Sequence, residues 1–579
     1  MQPVDFTTLT AACCEIRASW LPARLEQIYQ RDRHTISLAL RTLSGRSWLT
    51  VSWHPQAARL CIGDRPPRTP DTFTFSDQLR HQLGGFALIA IETVAPWERA
   101  LDLQFAKRPG EPVLWHLYVE IMGKRSNVIL TNQDNLIVTC AHQVSEKQSS
   151  LRPVQTGQPY ELPPALQDPI PSFGETQGRW QERICLIPGK LDKQLLKSYR
   201  GLSKPLVRGM IRAAGADPEQ SNQSLSDSEW ERLFQRWQEW LQALDIWQNG
   251  DLSSLTPRWT DNGYTLFDWL PGEKAASVQE LVDRYYTDEL NLQEFQQLHH
   301  QLSQKLSNVL GKLQVKARGF QERLQQSDEA AQYRQKGDLL MAYLHLWQPG
   351  MKSIVLEDFE TQAPVTISLN LEKNAVQNAG AFYKQHQKLK RARAAVEPLL
   401  AEVQAEIDYL EQVEMALNQI DTYRGSADLR SLKEIRDELR QQGYLPDRER
   451  RSQNQEPASD FHRYISPGGF ELLVGRNNRQ NDQLTFRLAG DYDLWFHTQE
   501  IAGSHAILRL TPGAVADDVD LQFAADLAAY YSRARQSEQV PVVYTKPKYA
   551  YKPKGAKPGM VVYKHERIIW GRPSRVLSF

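Results

Sequence analysis

The sequence predicts a multidomain α+β protein, and three observations lead there. The chain has 579 residues, which at roughly 150 residues per domain points to several units rather than one core. Strand-like alternation dominates both ends, while two long stretches of three-and-four apolar spacing lie between Phe295 and Ile420. Hydrophobic residues make up 41% and charged residues 24% of the chain, ordinary globular usage that excludes a chain disordered or fibrous throughout.

Residues 1–172 read as a mixed α/β first domain. Asp5 can cap a helix running through Leu9, Ile16 and Leu21, and Thr35 to Leu40, Trp48 to Trp53 and Ala58 to Gly63 alternate as hairpin-connected strands. The text WHLYVEIMGKRSNVIL, residues 115–130, reads as strand, basic turn, strand, with the turn at Gly123-Lys124-Arg125. The proline-rich Arg152 to Pro171 closes the domain.

Residues 173–280 carry a helix-hairpin-helix and a connecting region. Between Arg183 and Gly215, two short helical patterns are broken by Gly201 and Pro205. The tryptophan-rich stretch from Trp230 to Trp269 shows no period that specifies a fold.

Residues 281–445 predict an antiparallel coiled-coil arm with a small insert at about 335–380. One seam is Phe295, Leu298, Leu302, Leu306, Val309, Leu313, Phe320 and Leu324, with Ala317 filling the gap. The other is Leu389, Ala392, Val396, Leu399, Val403, Ile407, Leu410, Val413, Leu417 and Ile420. Two long core helices of a bundle are the alternative. About 40 residues of helix would project roughly 60 Å, and the insert holds the strand-like Val365 to Leu369.

After the charged, unpatterned Asp447 to Asp460, residues 455–579 form a last α/β domain. Strands are expected over Tyr464 to Val474, Gln483 to Leu488 and around Val542 and Val561, with a helix from Leu521 to Ala534.

Lys plus Arg and Asp plus Glu each number 69, so net charge points to no partner and any such signal must be local. Cys13, Cys14, Cys61, Cys140 and Cys185 form neither a disulfide framework nor a CxxC clip, which fits a reducing compartment. The N-terminal text lacks a basic flank followed by an apolar run, and the longest apolar stretch, Phe86 to Ile91, is far too short for a membrane span. A cytoplasmic protein without membrane contact is expected.

The densest chemistry lies in DYDLWFHTQEIAGSHAILR, residues 491–509. Asp493, Trp495 and His497 share one face of a strand, and Ser504 and His505 follow at a turn. Four readings are open: a metal site from Asp493, His497 and His505; a Ser504 nucleophile with a histidine base; internal packing; and a nucleic-acid surface on which indole and imidazole stack on bases. No GxSxG elbow surrounds Ser504, and adjacent Ser504 and His505 point to opposite faces of a strand.

The neighbours favour nucleic acid. Residues 541–570 hold Lys546, Lys548, Lys552, Lys554, Lys557, Lys564 and Arg567 against Glu566 alone, a balance of +6. Tyr544, Tyr549, Tyr551 and Tyr563 lie among them, and lysine interleaved with tyrosine suits phosphates and exposed bases together, although solvated charge alone also accounts for the run. The turn Gly475, Arg476, Asn477 and Asn478, followed by Arg479 and Arg487, suits phosphate contact, as does Lys124-Arg125-Ser126-Asn127. Walker A, GxGxxG and HExxH sequences do not occur, so NTP hydrolysis, dinucleotide redox chemistry and zincin proteolysis lack their signals.

Taken in order, EIMGKRSNVIL, YRGLSKPLV, NAGAFYKQHQKLK and VGRNNRQNDQLTFRLAGDYDLWFHTQEIAGSH resemble the NFACT family over nearly the full length, most specifically in DLWFH, GSH and YTKPKYAYKPKGAKPG. The resemblance implies a ribosome quality-control factor that binds large ribosomal subunits, through rRNA and ribosomal proteins, when they are obstructed by peptidyl-tRNA. It implies recruitment of tRNA, alanyl-tRNA in bacteria, and untemplated C-terminal tailing of the nascent chain for proteolysis. Peptide bonds would form in the ribosome's own centre, so the protein would be no enzyme, with no catalytic residue, metal or cofactor of its own. In the family an acidic residue near the N-terminus and an Asp-Arg pair contact the tRNA. Asp5 matches the first, and Glu98-Arg99 falls where the pair belongs, with glutamate in place of aspartate. Lys124 and Arg125 join these as expected tRNA contacts. Arg476, Asn477, Asn478, Trp495, His497, Ser504, His505, Lys546, Lys548, Lys552, Lys554 and Lys557 are the expected RNA contacts of the last domain.

A formamidopyrimidine-type DNA glycosylase has a similar first domain and helix-hairpin-helix. Its lyase chemistry needs an N-terminal proline amine and often a cysteine zinc finger, whereas here Pro3 stands behind Met1-Gln2 and no cysteine follows Cys185. A surface adhesin, suggested by an older name of the family, lacks a signal-peptide or anchor pattern in this text.

Overall fold

Asp5 starts the first helix by satisfying one of its unpaired N–H groups. In the computed structural model, which describes all residues except 67–69, 165–166, 262, 447–459 and 579, the Asp5 carboxylate accepts from the Thr8 N–H at 2.8 Å and caps α1, Phe6–Trp20. Leu9, Cys13 and Ile16 of α1 are buried in one apolar cluster with the inward residues of a nine-stranded antiparallel sheet. Its strands are β1 (Ala23–Asp32), β2 (Thr35–Arg41), β3 (Arg46–Ser52), β4 (Arg59–Gly63), β5 (Ala87–Thr93), β6 (Ala100–Ala106), β7 (Trp115–Glu120), β8 (Asn127–Asn132) and β9 (Ile137–Cys140). The spatial order β4-β3-β2-β1-β5-β6-β7-β8-β9 makes two hairpin meanders joined through β1, and helix α2 (Thr74–Leu83) connects β4 to β5. The expected strands appear as β2 to β4, and the Lys124-Arg125 turn joins β7 to β8 with Gly123 at φ 59.

The two helices expected between Arg183 and Gly215 are α4 (Leu191–Ser198) and α5 (Lys204–Ala213), preceded by a further helix, α3 (Gln177–Cys185). Gly201, at φ 82, does turn the chain. Pro205 breaks nothing, because it lies in the first turn of α5, where a backbone N–H has no intrahelical partner to lose. The tryptophan-rich stretch is also ordered: Ser226 and Glu229 form a capping box that starts α6 (Asp227–Gln248). Its buried Trp230, Trp237, Trp240 and Trp247 recur at helical spacing on one face, a period the turn-rich text after residue 248 obscures. A small sheet of β10 (Arg258–Thr260), β11 (Gly263–Thr265) and β12 (Glu273–Lys274) follows, in the order β11-β10-β12.

The chain divides into two compact units, residues 1–291 and 292–579. Helix α7 (Val278–Ser327) runs across that division, and α8 (Ala330–Ala342), the hairpin β13 (Ser353–Glu357) and β14 (Pro364–Ser368), α9 (Ala375–Gln419) and α10 (Ser426–Gln441) come next. Phe295, Leu298, Leu302, Leu306 and Leu310 of α7 share a cluster with Val403, Ile407, Leu410, Val413 and Leu417 of α9. Leu429, Leu432, Ile435 and Leu439 of α10 complete it. Where the expected two-helix seam is buried, it is therefore a three-helix core. Earlier in α9, Ala392 and Leu399 are exposed and Pro398 lies inside the helix, so the apolar period there buries little. The insert has a core of its own, with Leu339, Leu340, Ile354, Leu356 and Ile367 packed on Ala375 and Ala379.

The last domain is a six-stranded antiparallel sheet, β15-β16-β18-β17-β19-β22, built from β15 (His462–Ile465), β16 (Glu471–Val474), β17 (Leu494–Thr498), β18 (Ala506–Leu508), β19 (Val540–Thr545) and β22 (Arg567–Gly571). Helix α12 (Asp518–Tyr530) covers one face. The basic segment, with a two-stranded ribbon of β20 (Ala550–Tyr551) and β21 (Val562–Tyr563), covers Trp495, Val543 and Leu473 on the other. The expected strand Gln483 to Leu488 is helical instead: Asn477 accepts from the Gln480 N–H and starts α11 (Asn478–Gln483), which widens into a π turn over Leu484–Leu488. The charged stretch after Asp447 lies almost wholly outside the described residues. Among those described, no helix is long and apolar enough to cross a membrane.

Candidate nucleic-acid interface

The DLWFH strand is central in its sheet, and this decides what its side chains can reach. Trp495 is 1% exposed, and its indole N–H donates to Thr485 Oγ1 at 3.0 Å. His505, 1% exposed, lies 2.7 Å from the same hydroxyl through Nδ1 and 3.2 Å from the Asn481 carbonyl. Ser504 is buried as well. The expectation that Trp495, Ser504 and His505 stack on or bond to RNA is therefore corrected: a ring with both faces packed in protein has no face left for a base. His497 lies against Trp495, ring centroids 5.7 Å apart, with Nε2 3.3 Å from the Gly503 carbonyl. Burial pushes its imidazole down to about 4 and that of His505 well below the usual range, so both are neutral parts of a polar core.

Neither chemical alternative is assembled. Asp493 accepts from the backbone N–H groups of Gly490 and Leu510 instead of facing the histidines. Among the described residues, no group of three His, Cys, Asp or Glu is placed to hold a metal ion.

The Arg476 turn is a joint, which corrects its reading as a phosphate loop. Arg476 pairs with Asp428 at 3.2 Å, the Asn477 amide donates to Glu434, and the Asn478 amide donates to Glu438 at 3.1 Å. Asn477 and Asn478 are 1% and 2% exposed. These groups fasten α11 to α10.

The lysines divide in two. Lys552 pairs with Asp482, and Lys557 lies 5.3 Å from the ring centroids of both Tyr409 and Tyr444, which ties the basic segment to α9 and to the segment after α10. Lys546, Lys548, Lys554, Lys564 and Arg567 are exposed. Beside them on edge strand β22, Ile568 and Trp570 are 52% and 55% exposed, and Tyr551 is 44% exposed on β20. Trp570 was not among the expected residues. Alternation alone would place it on a buried face, and only the position of β22 at the sheet edge leaves it open. Cations around exposed aromatic rings form a surface able to neutralise phosphates and stack unpaired bases.

In the first unit, Lys124 and Arg125 stand exposed on their turn. Asp5 and Glu98 do not: they are 5% and 8% exposed, Asp5 capping α1 and Glu98 lying 3.7 Å from Arg200. Arg99 is half-buried and donates to the Val4 carbonyl at 3.0 Å. Both carboxylates are engaged inside the protein, Asp5 with the Thr8 N–H and the Ser203 hydroxyl and Glu98 with Arg200.

Residues 460–565 match the family model described as the NFACT protein RNA binding domain. The chain is thus a multidomain α+β protein with a C-terminal RNA-binding domain. Residues 5–458 match the model of the NFACT N-terminal and middle domains, and the chain belongs to the NFACT family. It is 31% identical to the Rqc2 homolog RqcH of Bacillus subtilis over 96% of this chain and 96% of that one. It is 29% identical to the Rqc2 homolog RqcH of Streptococcus pneumoniae, over 96% and 95%. A solved structure of the C-terminal part of the fibronectin/fibrinogen-binding protein from Streptococcus suis is 31% identical, covering 49% of this chain and 98% of its own, with a TM-score of 0.37.

Proposed function

We propose that this chain is a ribosome-associated quality-control factor. It binds large ribosomal subunits that still carry peptidyl-tRNA, recruits tRNA, alanyl-tRNA in the first instance, and directs untemplated C-terminal tailing of the stalled chain. It acts by binding in the cytoplasm, and the ribosome's own centre makes the peptide bonds. The observation that carries the reading is the exposed surface of Lys546, Lys548, Lys554, Lys564, Arg567, Tyr551 and Trp570, most of which falls within the match to an RNA-binding domain. Its similarity to proteins named Rqc2 homolog RqcH along nearly the whole chain supports the ribosomal setting. Such a surface gives affinity without sequence preference, as a factor engaging rRNA needs, and leaves selection of a tRNA to the first unit.

The test is to purify the tagged protein from its own cells, with and without mild translation stalling, and to sequence the RNA that accompanies it. Large-subunit rRNA enriched over small-subunit rRNA, with one dominant tRNA, is the expected result. No enriched RNA would overturn the reading.

A further inference from the structure

The last domain meets α9 and α10 through polar groups, since the apolar cluster of α7, α9 and α10 does not join those of the last sheet. The contact has two parts. In the inner part, the Arg476 and Asp428 side chains are each 15% exposed, and the Asn478 amide donates to Glu438, which is 2% exposed. Groups engaged this deeply keep the domain in place, because separating them would strand polar atoms away from water.

The outer part is open to water. Arg533, its side chain 54% exposed, donates to Glu411 at 2.5 Å. The Lys557 ammonium lies 5.3 Å from the ring centroids of both Tyr409 and Tyr444. Those rings are 6.1 Å apart, and their hydroxyls donate to Glu438 and Glu406 at 2.8 and 2.9 Å, so carboxylates hold both rings as a seat for a cation. The acidity is a property of the helix: from Glu397 to Asp421 the chain has seven acidic residues and no Lys or Arg. An exposed ion pair and a cation over a ring are weak and screened by salt. A phosphate oxygen satisfies a guanidinium or ammonium as a carboxylate does, so RNA competes for the same two cations.

We propose that Arg533 and Lys557 are phosphate-binding groups of the last domain that α9 withholds, with Glu411, Tyr409 and Tyr444 acting as an internal competitor for RNA. This rests on the RNA-binding reading above and adds its regulation. Because the competitor belongs to the same chain, it acts at high effective concentration. A short RNA with few phosphates meets only the exposed lysines, whereas a dense RNA surface displaces the competitor and gains two contacts. Selectivity thus comes from disfavouring the wrong partner.

The test titrates the full chain with a short poly(U) strand at several salt concentrations. E411Q/Y444L removes one carboxylate and one ring from the competitor and keeps every cation. It should steepen the dependence of log affinity on log salt by about 1.4, two contacts to a single strand, or about 25-fold tighter binding at about 0.1 M salt if the lines meet near 1 M. Adding R533A/K557A to that variant should abolish the steepening. E411Q alone keeps the shape of a side chain 24% exposed and should give about half the effect, which covers the case in which losing the Tyr444 ring unfolds the joint. E402Q removes an equal charge from the same helix, at an exposed glutamate with no cation partner among the described residues, and should leave the slope alone. An unchanged slope in E411Q would overturn the proposal, as would equal steepening in E402Q. So would a slope flattened by about 1.4 by R533A/K557A in the otherwise unaltered chain, since both cations would then already be engaged. If neither the unaltered chain nor any variant binds poly(U), the RNA-binding reading falls and the proposal with it.

Discussion

Replacing Glu438 with glutamine should stabilise the second unit at pH 8 and change nothing at pH 4.5. Glu438 is 2% exposed and accepts hydrogen bonds from the Tyr409 hydroxyl at 2.8 Å and the Asn478 amide at 3.1 Å. Burial, with a smaller push from Asp482, raises its carboxyl to about 7, against the two hydrogen bonds and Arg479, which lower it. In the unfolded chain the same group titrates near its ordinary 4.5. The folded protein thus keeps a proton that the unfolded chain has lost. The resulting stability is fully present below about 4.5 and disappears as pH rises through about 7. At about 1.4 kcal/mol per pH unit over that interval, the loss is about 3 kcal/mol. Glutamine fills the same space, accepts the same bonds and stays neutral, so E438Q escapes the loss. For a unit of nearly 300 residues the gain is about 5 °C in Tm. Calorimetry of the full chain, wild type against variant, at pH 4.5, 6 and 8 reads it. Only the difference isolates Glu438, because His462 and His497, pushed down by burial to about 3 and about 4, act oppositely and cost stability as pH falls below about 6.5. Coincident transitions of E438Q and wild type at pH 8 would refute the reasoning, as would an equal gain at pH 4.5.

Neutralising Lys546, Lys548, Lys554 and Lys564 together should lower RNA affinity and reduce its salt slope by about 3 in filter binding, with the melting curve unchanged; an unchanged slope would mark the patch as ordinary solvated surface. K552A, which unpairs Asp482, should lower stability and leave that slope nearly intact. W495F removes a buried donor to Thr485, so it should cost about 1 kcal/mol in urea unfolding while RNA affinity holds; a large affinity loss without destabilisation would restore Trp495 as a contact. G571A should destabilise by about 1–3 kcal/mol, because the new Cβ would meet the Ala525 carbonyl and the Ala529 methyl where β22 crosses α12; an unaltered denaturation midpoint would contradict that close approach.

By itself the sequence determined the class and order of the parts. Alternation in Thr35 to Leu40 and Trp115 to Leu130, the three-and-four spacing of Phe295 to Val309, and the Asp5 cap are local signals. Each specifies an element because side-chain period and end chemistry are properties of a few adjacent residues. The excess of lysine over residues 541–570 was legible for the same reason, since charge adds along the chain. Tertiary structure alone decided which of these residues face outward. Trp495 reads as a stacking residue until β17 proves central and the basic segment covers it, whereas Trp570 reads as core until β22 proves to be an edge. Arg476 and Lys552 look like free cations, yet Asp428 and Asp482 neutralise them, 48 and 70 residues distant in sequence. Asp5 reads as the cap of one helix, and only the fold shows that it also holds the cap of another, 198 residues away. Exposure and pairing depend on long-range neighbours, and no local period encodes them.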